Sequence, residues 1–340
     1  MEIGREQRER AIAQVQGAVA LEIAFIGLAN GLLSQLDRLG QATAEQLSAA
    51  AGVDPGYVTR WCDAAYAFGY LSESQGRFQL TELGQAFRPD VAGTLMSFAV
   101  QSVLSAHMAE RAAAFMKTGE RPGEKVLEER ATILPLFGAM LENGFGPIFE
   151  QQILSAIPAF AEVEARQGMA VDLGCGNGWY LRRLAARFPH IRGIGLDGFA
   201  ENVRQAQARA VAAGFGDRLR FQVGDIYHYT VPEQVDLVSM TRALHHVWDQ
   251  KDEVFMRLRD SLRPGGMAMI WEPSWPRNRA DLLDPARRMM AFQNLTEHVQ
   301  GNHFLHPDDI AEEFRKIGMA PEVHLFAGGN EAVVVGRKPR

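Results

Sequence analysis

The chain has 340 residues, 47% of them hydrophobic and 22% charged. That is ordinary globular composition, which excludes disorder as the dominant state, and the length exceeds one average domain. A formal net charge of −6 argues against a mainly nucleic-acid-binding surface, because phosphate contacts need clustered Lys and Arg. Small molecules are left as the expected ligands.

Only two cysteines occur, Cys62 and Cys175, far apart and outside any CxxC or Cys/His cluster. A disulfide scaffold and a zinc finger are excluded, and a reducing, cytoplasmic compartment is expected. The N-terminal run MEIGREQRERAIAQ is too charged for a signal or transit peptide. The most apolar early run, Gln16 to Leu33, is interrupted by Glu22, Gly17, Gly27 and Gly31, so membrane spanning is not expected.

The first ninety residues read as short helices followed by a hairpin. Ile12, Val15, Val19, Ile23, Ile26 and Leu33 recur at helical spacing, and Gly40 supplies a stop. Thr43-Ala-Glu-Gln is a capping-box pattern, and Asp54 with Pro55 opens the next helix. A two-stranded wing follows, turning at Ser74-Gln-Gly; the element order is that of a winged helix. Residues 91–160 read as helical and rich in Phe and Met, with a break over Lys117 to Lys125. Their Phe and Met side chains suit helix packing and, alternatively, a substrate chamber.

From Gly168 onward strands alternate with helices. Strands are expected over Met169–Leu173, Ile191–Leu196, Leu219–Val223, Val235–Met240 and Met267–Trp271, with two more over Glu322–Phe326 and Ala332–Val335. Helices are expected over Trp179–Phe188, Ala200–Ala213, Lys251–Leu262 and Asp308–Ile317. Such alternation predicts an α/β fold with a mostly parallel seven-stranded sheet, whose ligands sit at the carboxyl ends of the strands.

The first strand-to-helix turn is Val171-Asp-Leu-Gly-Cys-Gly-Asn-Gly-Trp-Tyr. Glycines 174, 176 and 178 permit a sharp turn and close backbone approach to a ligand. A dinucleotide fingerprint needs Gly at 179, where Trp179 stands. Asp172 and the G-x-G-x-G spacing suit instead a cofactor with a charged amino acid tail and no pyrophosphate. Asp197, followed by Gly198, ends the second strand and can accept ribose hydroxyls. Asp225 and Ile226 follow the third strand, where an acid can accept from an adenine amino group while the isoleucine packs on the ring.

At these residues the chain resembles the class I S-adenosylmethionine-dependent methyltransferases over its whole length. Residues 161–340 look like the Rossmann-like cofactor domain, and residues 1–90 like the winged-helix dimerisation domain of small-molecule O-methyltransferases. Residues 91–160 would form a helical linker and substrate-chamber region. The resemblance implies that Asp172, Gly174, Gly176, Gly178, Asp197, Gly198, Asp225 and Ile226 hold S-adenosylmethionine and release S-adenosylhomocysteine. It further implies a cytoplasmic homodimer acting on a small molecule in secondary metabolism. Arg263-Pro-Gly-Gly, another family hallmark, is a turn feeding a strand.

The fourth strand leads into Leu244-His245-His246-Val-Trp, where the winged-helix O-methyltransferases carry Leu-His-Asp-Trp with the histidine as general base. His245 takes the base position and His246 replaces the aspartate. Glu272 ends the fifth strand, where the family places a glutamate that orients the base. The family's third acid falls near His303-Phe304, where no Glu stands. His245 and His246 thus remain open to base, packing or substrate-shaping roles. A lid-like segment is expected over Asn294 to His306.

Three alternatives stand beside this reading. His245, His246 and one of His298, His303 or His306 could bind Fe or Zn, as in the metal-assisted 2-oxoacid C-methyltransferases. The chain could also keep the cofactor while catalysing a non-methylating reaction. The winged helix could instead serve a DNA-binding regulator, but Pro55 to Phe68 offers only Arg60 as a cation, beside Asp54 and Asp63. A recognition helix needs more basic and polar readers than that.

Overall fold

Residues 4–123, 126, 129, 132–231 and 234–340 are described by the computed structural model. The chain divides into two compact units: one lies within residues 1–110 and 127–143, the other within 111–126 and 144–340.

The first unit opens with a helix over Arg5–Ala29, followed by helices Leu32–Leu39, Ala44–Ala51 and Pro55–Ala67. The Thr43–Gln46 capping box forms as its spacing predicts, and Asp54 caps Tyr57 N–H with Pro55 in the first turn. The wing is β1 (Leu71–Ser74) against β2 (Arg77–Leu80), antiparallel. Gln75 and Gly76 both have positive φ there, the conformation of a two-residue hairpin turn matched to strand twist.

Gly17 and Gly27 do not break the first helix. Gly27 packs so closely on Trp61 that a Cβ would lie 2.7 Å from its ring, and Trp61 Nε1 donates to the Ile23 carbonyl. This helix is long and apolar enough to cross a membrane by length and composition alone, which the interruptions at Glu22 and the glycines do not prevent. Its C-terminal part is core, with Ile23, Ala24, Phe25 and Leu28 buried, whereas Ile12 and Val15 are exposed. In the helix Pro55–Ala67, Val58, Trp61, Cys62 and Ala65 are buried while Tyr57 and Tyr66 face solvent.

The region between the wing and the large sheet is helical over Met96–Phe115, Leu134–Ile148 and Ala159–Ala165, with a π-helical turn at Phe149–Ile153. Of the expected break, residues 117–123 lack regular helix, and Glu124 and Lys125 lie outside the described residues.

The second unit holds a seven-stranded sheet in the order β5-β4-β3-β6-β7-β9-β8. Its strands are β3 (Met169–Leu173), β4 (Arg192–Asp197), β5 (Leu219–Val223), β6 (Val235–Thr241), β7 (Leu262–Pro273), β8 (Ala320–Phe326) and β9 (Glu331–Arg337). β3 through β7 pair in parallel, and β9 is antiparallel to both β7 and β8. Central strands are apolar on both faces. Met267, Met269, Trp271, Val333 and Val335 join one helix layer, while Ala268, Ile270 and Val334 join the other, the period-two alternation of a sheet covered on both sides. Edge strand β5 buries Leu219 and Phe221 and exposes Arg220 between them, whereas β8 is exposed or half-buried up to Phe326. The order reverses between β3 and β6, so the crevice at their carboxyl ends is where a doubly wound sheet receives its ligand.

Candidate active site

The loop after β3 lines one side of that crevice. Gly174 and Gly178 have φ of +74°, a region costly for residues with a Cβ. A Cβ at Gly174 would lie 2.8 Å from Ala243 Cβ, and one at Gly178 would lie 2.7 Å from the Phe221 ring. Gly178 thus seats the helix Trp179–Arg187 on β5, and Gly174 presses the glycine loop against the loop after β6. A Cβ at Gly176 would meet nothing within 4 Å, so the tip of the turn faces open space.

Asp197, at the end of β4, ties this loop down. Its Oδ2 accepts from Gly176 N at 2.8 Å, and its Oδ1 accepts from Phe199 N and Asn202 Nδ2 at 2.9 and 3.0 Å. A carboxylate offers about four acceptor positions, so Oδ2 retains one. Gly198 beside it is exposed. Asp225, after β5, is exposed and accepts from Tyr227 N, with His228 Nδ1 2.7 Å from its other oxygen. The His228 hydrogen bond holds the Asp225 carboxyl below its usual range. Ile226 packs partly buried on the sheet's apolar layer.

These residues fit a cofactor with hydroxyl, amino and sulfonium groups: an open glycine turn, a strand-end carboxylate with a spare acceptor position, and an acid one strand further out. Asn177 adds a buried amide whose Nδ2 has no hydrogen-bond partner among the described residues, a donor turned away from solvent within the same turn.

Asp172 is fully enclosed and accepts from Ser239 Oγ at 3.0 Å. Burial pushes its carboxyl up to about 8, the nearby Asp197 adding to the rise and the Ser239 bond opposing it. Such a group keeps in the fold a proton that the unfolded chain loses near pH 4. Its contribution to stability is therefore full below about pH 4 and lost as pH rises through about 8. In the cofactor-free protein the melting temperature is expected to fall across this window, and Asp172→Asn to flatten the fall. Thermal melts at a series of pH values check it; equal slopes in both proteins would mean that Asp172 is charged in the fold.

Across the crevice, β6 ends at Thr241 and the chain enters a 3₁₀ helix over Leu244–Gln250. His245 is 5% exposed and Glu272, near the end of β7, 0%. Glu272 Oε1 accepts the backbone N–H of Leu244 and of His245, at 2.8 and 3.3 Å, and its Oε2 lies 2.6 Å from His245 Nδ1. Burial alone would raise the Glu272 carboxyl, but the His245 imidazole beside it holds it below the usual carboxylate range. An ionised carboxylate only accepts, so His245 Nδ1 carries a proton, and in the neutral imidazole Nε2 is then the nitrogen with the lone pair.

His246 lies with its ring centroid 4.1 Å from that of His245. Its Nδ1 is 2.7 Å from Asn302 Nδ2, which also lies 3.5 Å from Glu297 Oε2. The Asn302 amide faces two acceptors, which fixes His246 Nδ1 as an acceptor and makes it a different tautomer from His245.

Position in sequence does not find Glu297. No acid stands at His303-Phe304, yet Glu297, ending the helix Arg288–Glu297, brings Oε2 to 3.7 Å from His245 Nε2. Phe304 packs edge-on against His245 at 5.6 Å. One ligand atom each from His245, His246 and Glu297 fall within 4.8 Å of one another. The third partner of the two histidines is therefore Glu297 rather than a histidine. His298 and His303 are exposed, and His306 Nδ1 accepts from Asp308 N at the start of the helix Pro307–Lys316. That a carboxylate sits inside the segment Asn294–His306 is the signal available in the sequence.

Residues 170–266 match the family model described as a methyltransferase domain. Over 275 residues the chain is 28% identical to O-demethylpuromycin-O-methyltransferase of Streptomyces alboniger, spanning 77% of this chain and 71% of that one. Its fold is similar to that of an O-methyltransferase family protein from Burkholderia thailandensis, at a TM-score of 0.71 and 17% identity over 100% and 99% of the two chains. It is also similar to human N-acetylserotonin methyltransferase in complex with S-adenosylmethionine, at a TM-score of 0.74 and 16% identity over both full chains. The methyltransferase-domain match lies on the glycine turn, Asp197, Asp225 and the His245 loop, and the chain carries that domain on a class I methyltransferase fold.

Proposed function

We propose that this methyltransferase acts on a small-molecule acceptor of secondary metabolism, at an oxygen, nitrogen or carbanion, with His245 as the base and Glu272 as its positioning partner. The observation that carries the reading is the Glu272 carboxylate, which holds both the loop and the Nδ1–H of His245 next to the glycine turn. The S. alboniger relative is named for O-methylation of a small molecule, which favours oxygen as the acceptor atom.

When bound, S-adenosylmethionine supplies an electrophilic methyl group on sulfur. The three glycines, Asp197, Gly198, Asp225 and Ile226 would hold it, with Asp172, enclosed behind the turn, bracing β3 against β6 through Ser239. His245 Nε2 would take the acceptor's proton while Glu272 stabilises the imidazolium that results. Alignment of the acceptor contributes about 7 to 11 kcal/mol where geometry is well set; proton removal adds about 10² to 10⁴-fold. His246, donor-tethered through Asn302, would shape the pocket, and residues 294–306 would cover it.

A second reading is favoured by one observation, the His245/His246/Glu297 cluster. Two imidazoles and a carboxylate suit Fe or Zn with open positions for an oxygen-bearing acceptor, and His245 already has the carboxylate partner on its other nitrogen that metal-bound histidines show. Metal analysis of the purified protein, followed by mass spectrometry of an acceptor panel with labelled cofactor, separates the readings. A stoichiometric metal whose removal abolishes methyl transfer would select the second, and transfer by metal-free protein the first. Absence of any transferred label across phenol, amine and 2-oxoacid acceptors would favour a non-methylating reaction.

We further propose a cytoplasmic homodimer formed through the N-terminal unit. The exposed Ile12 and Val15 of the first helix and the two unpaired, buried cysteines support it. An obligate interface would bury more than about 2,000 Å² in total. Light scattering at micromolar concentration reports it, and a stable monomer would refute it. Tight binding to duplex DNA would instead favour the regulator.

A further inference from the structure

We propose that Arg242 is a positioning residue for methyl transfer: paired with Glu331, it anchors the loop that carries His245 and keeps the Glu272 carboxylate aimed at the imidazole. The proposal rests on the reading of His245 and Glu272 above.

Arg242 is the residue at which the chain leaves β6, and its φ is +56°. Glycine adopts this left-handed region freely, whereas an arginine there is strained and persists only where its surroundings hold it. The turn itself asks for no long side chain, so the contacts of that side chain are what distinguish it from glycine. Its Nη1 lies 3.0 and 2.9 Å from the two Glu331 oxygens. The guanidinium also sits 4.2 Å above the centre of the Phe145 ring, and the Arg242 backbone N–H donates to the Trp271 carbonyl at 2.7 Å.

The circuit closes on the site. Glu331 Oε2 accepts from Trp271 Nε1 at 2.8 Å, and Glu331 is the register partner of Pro273, the residue after Glu272. Glu272 then holds the backbone of Leu244 and His245, only two and three residues past Arg242. Pulling the arginine loose therefore frees one end of a loop whose other end carries the imidazole.

Charge acts in the same direction. Glu331 and Glu272 are both buried, and burial pushes the Glu331 carboxyl up, with Glu272 adding to the push and Arg242 opposing it. Arg242 also helps His245 hold Glu272 below its usual range against burial. Without the guanidinium, the enclosed Glu331 carboxylate keeps only the Trp271 N–H as a partner and still faces the charge of Glu272. A buried charge stripped of its partner is strongly unfavourable, and the relief available is for Glu331 to shift or for Glu272 to lose its hold on Nδ1–H.

The test uses the full chain and four variants: Arg242→Gln, Arg242→Lys, Glu331→Gln and the double change R242Q/E331Q. The readouts are the Nδ1–H resonance of His245 in protein with isotope-labelled histidine, S-adenosylhomocysteine affinity by calorimetry, and kcat with an acceptor found in the labelled-cofactor panel. Arg242→Gln is expected to shift or broaden the Nδ1–H resonance and lower kcat about 10-fold, as small misplacements of a reacting group do. Cofactor-product affinity should stay within about twofold of the parent, because Asp197 and the glycine turn are untouched. Arg242→Lys should recover part of the loss, and R242Q/E331Q most of it, because the buried carboxylate is neutralised along with its partner. An unmoved resonance with unchanged kcat in Arg242→Gln overturns the proposal, as does a double variant no better than Arg242→Gln. Should Arg242→Gln not fold, Glu331→Gln must still move the resonance, and failure to do so overturns it equally. The resonance needs no turnover, so a failed role for His245 as base is distinguished from a failed anchor.

Discussion

Asp197→Ala is expected to weaken S-adenosylhomocysteine binding by about 10- to 100-fold, the equivalent of a lost charge-assisted hydrogen bond of roughly 1.5 to 3 kcal/mol. Two effects add. The spare acceptor position on Oδ2 is the one a ribose hydroxyl would take, and the same oxygen holds Gly176 N at 2.8 Å, so its removal also slackens the glycine turn. Asp197→Asn separates them, because the amide keeps an acceptor oxygen for one partner and loses the charge. It should fall between the parent and the alanine variant in calorimetry. Unchanged affinity in Asp197→Ala would place the cofactor away from β4, and no binding by the parent protein would remove the cofactor reading altogether.

The parts of this molecule that could be read from its sequence are those fixed by neighbours in the chain. β3 and β5 run over the residues that their apolar patterns predict, and the Thr43 and Asp54 caps form at their expected places, because period and capping are local properties. β7 starts at Leu262 rather than Met267. The segment Arg263–Gly266 satisfies turn chemistry, with Gly265 at φ +73°, yet Leu262 pairs with Val235 across an irregular register, a constraint imposed by another strand. The helix Leu134–Ile148 likewise runs through Gly138, Gly144, Gly146 and Pro147, where tertiary packing overrides residues that usually end helices. Gly146, for one, lies so close to Arg183 that a Cβ would stand 2.6 Å from its guanidinium carbon.

The site divides along the same line. Asp172, the glycines and Asp197 stand at the ends of adjacent strands, and their spacing alone brings them together. Glu297 reaches His245 from a helix far down the chain, and Glu331 reaches Arg242 from the antiparallel β9. No periodicity or motif marks either, because each contact is set by the sheet order and not by sequence spacing. The Arg242 φ is hidden for the same reason: nothing near it in sequence requires the left-handed turn that the crossing from β6 imposes.

His245→Gln is expected to lower kcat by about 10² to 10⁴-fold, the usual contribution of a positioned base, while S-adenosylhomocysteine affinity stays unchanged. Glutamine fills much of the imidazole's space but its amide has no comparable basicity, so positioning is largely kept and proton removal is lost. Glu272→Gln should act in the same direction through the tautomer. Its oxygen can still accept the Leu244 and His245 backbone N–H groups, but its amide nitrogen would face His245 Nδ1 as a donor and drive the ring proton to Nε2, where the lone pair is needed. The sign with pH follows from Glu272 being held below the usual carboxylate range. A depressed carboxyl keeps its orienting charge at every pH above that range and loses it only as pH falls through its lowered pKa. An acid limb in the pH–rate profile above the carboxylate range therefore does not come from Glu272, and it is expected to vanish in His245→Gln. Full turnover with the same limb in that variant would make His245 a packing residue. Activity that disappears on chelation in the parent and returns with Fe or Zn would instead make it a ligand beside His246 and Glu297.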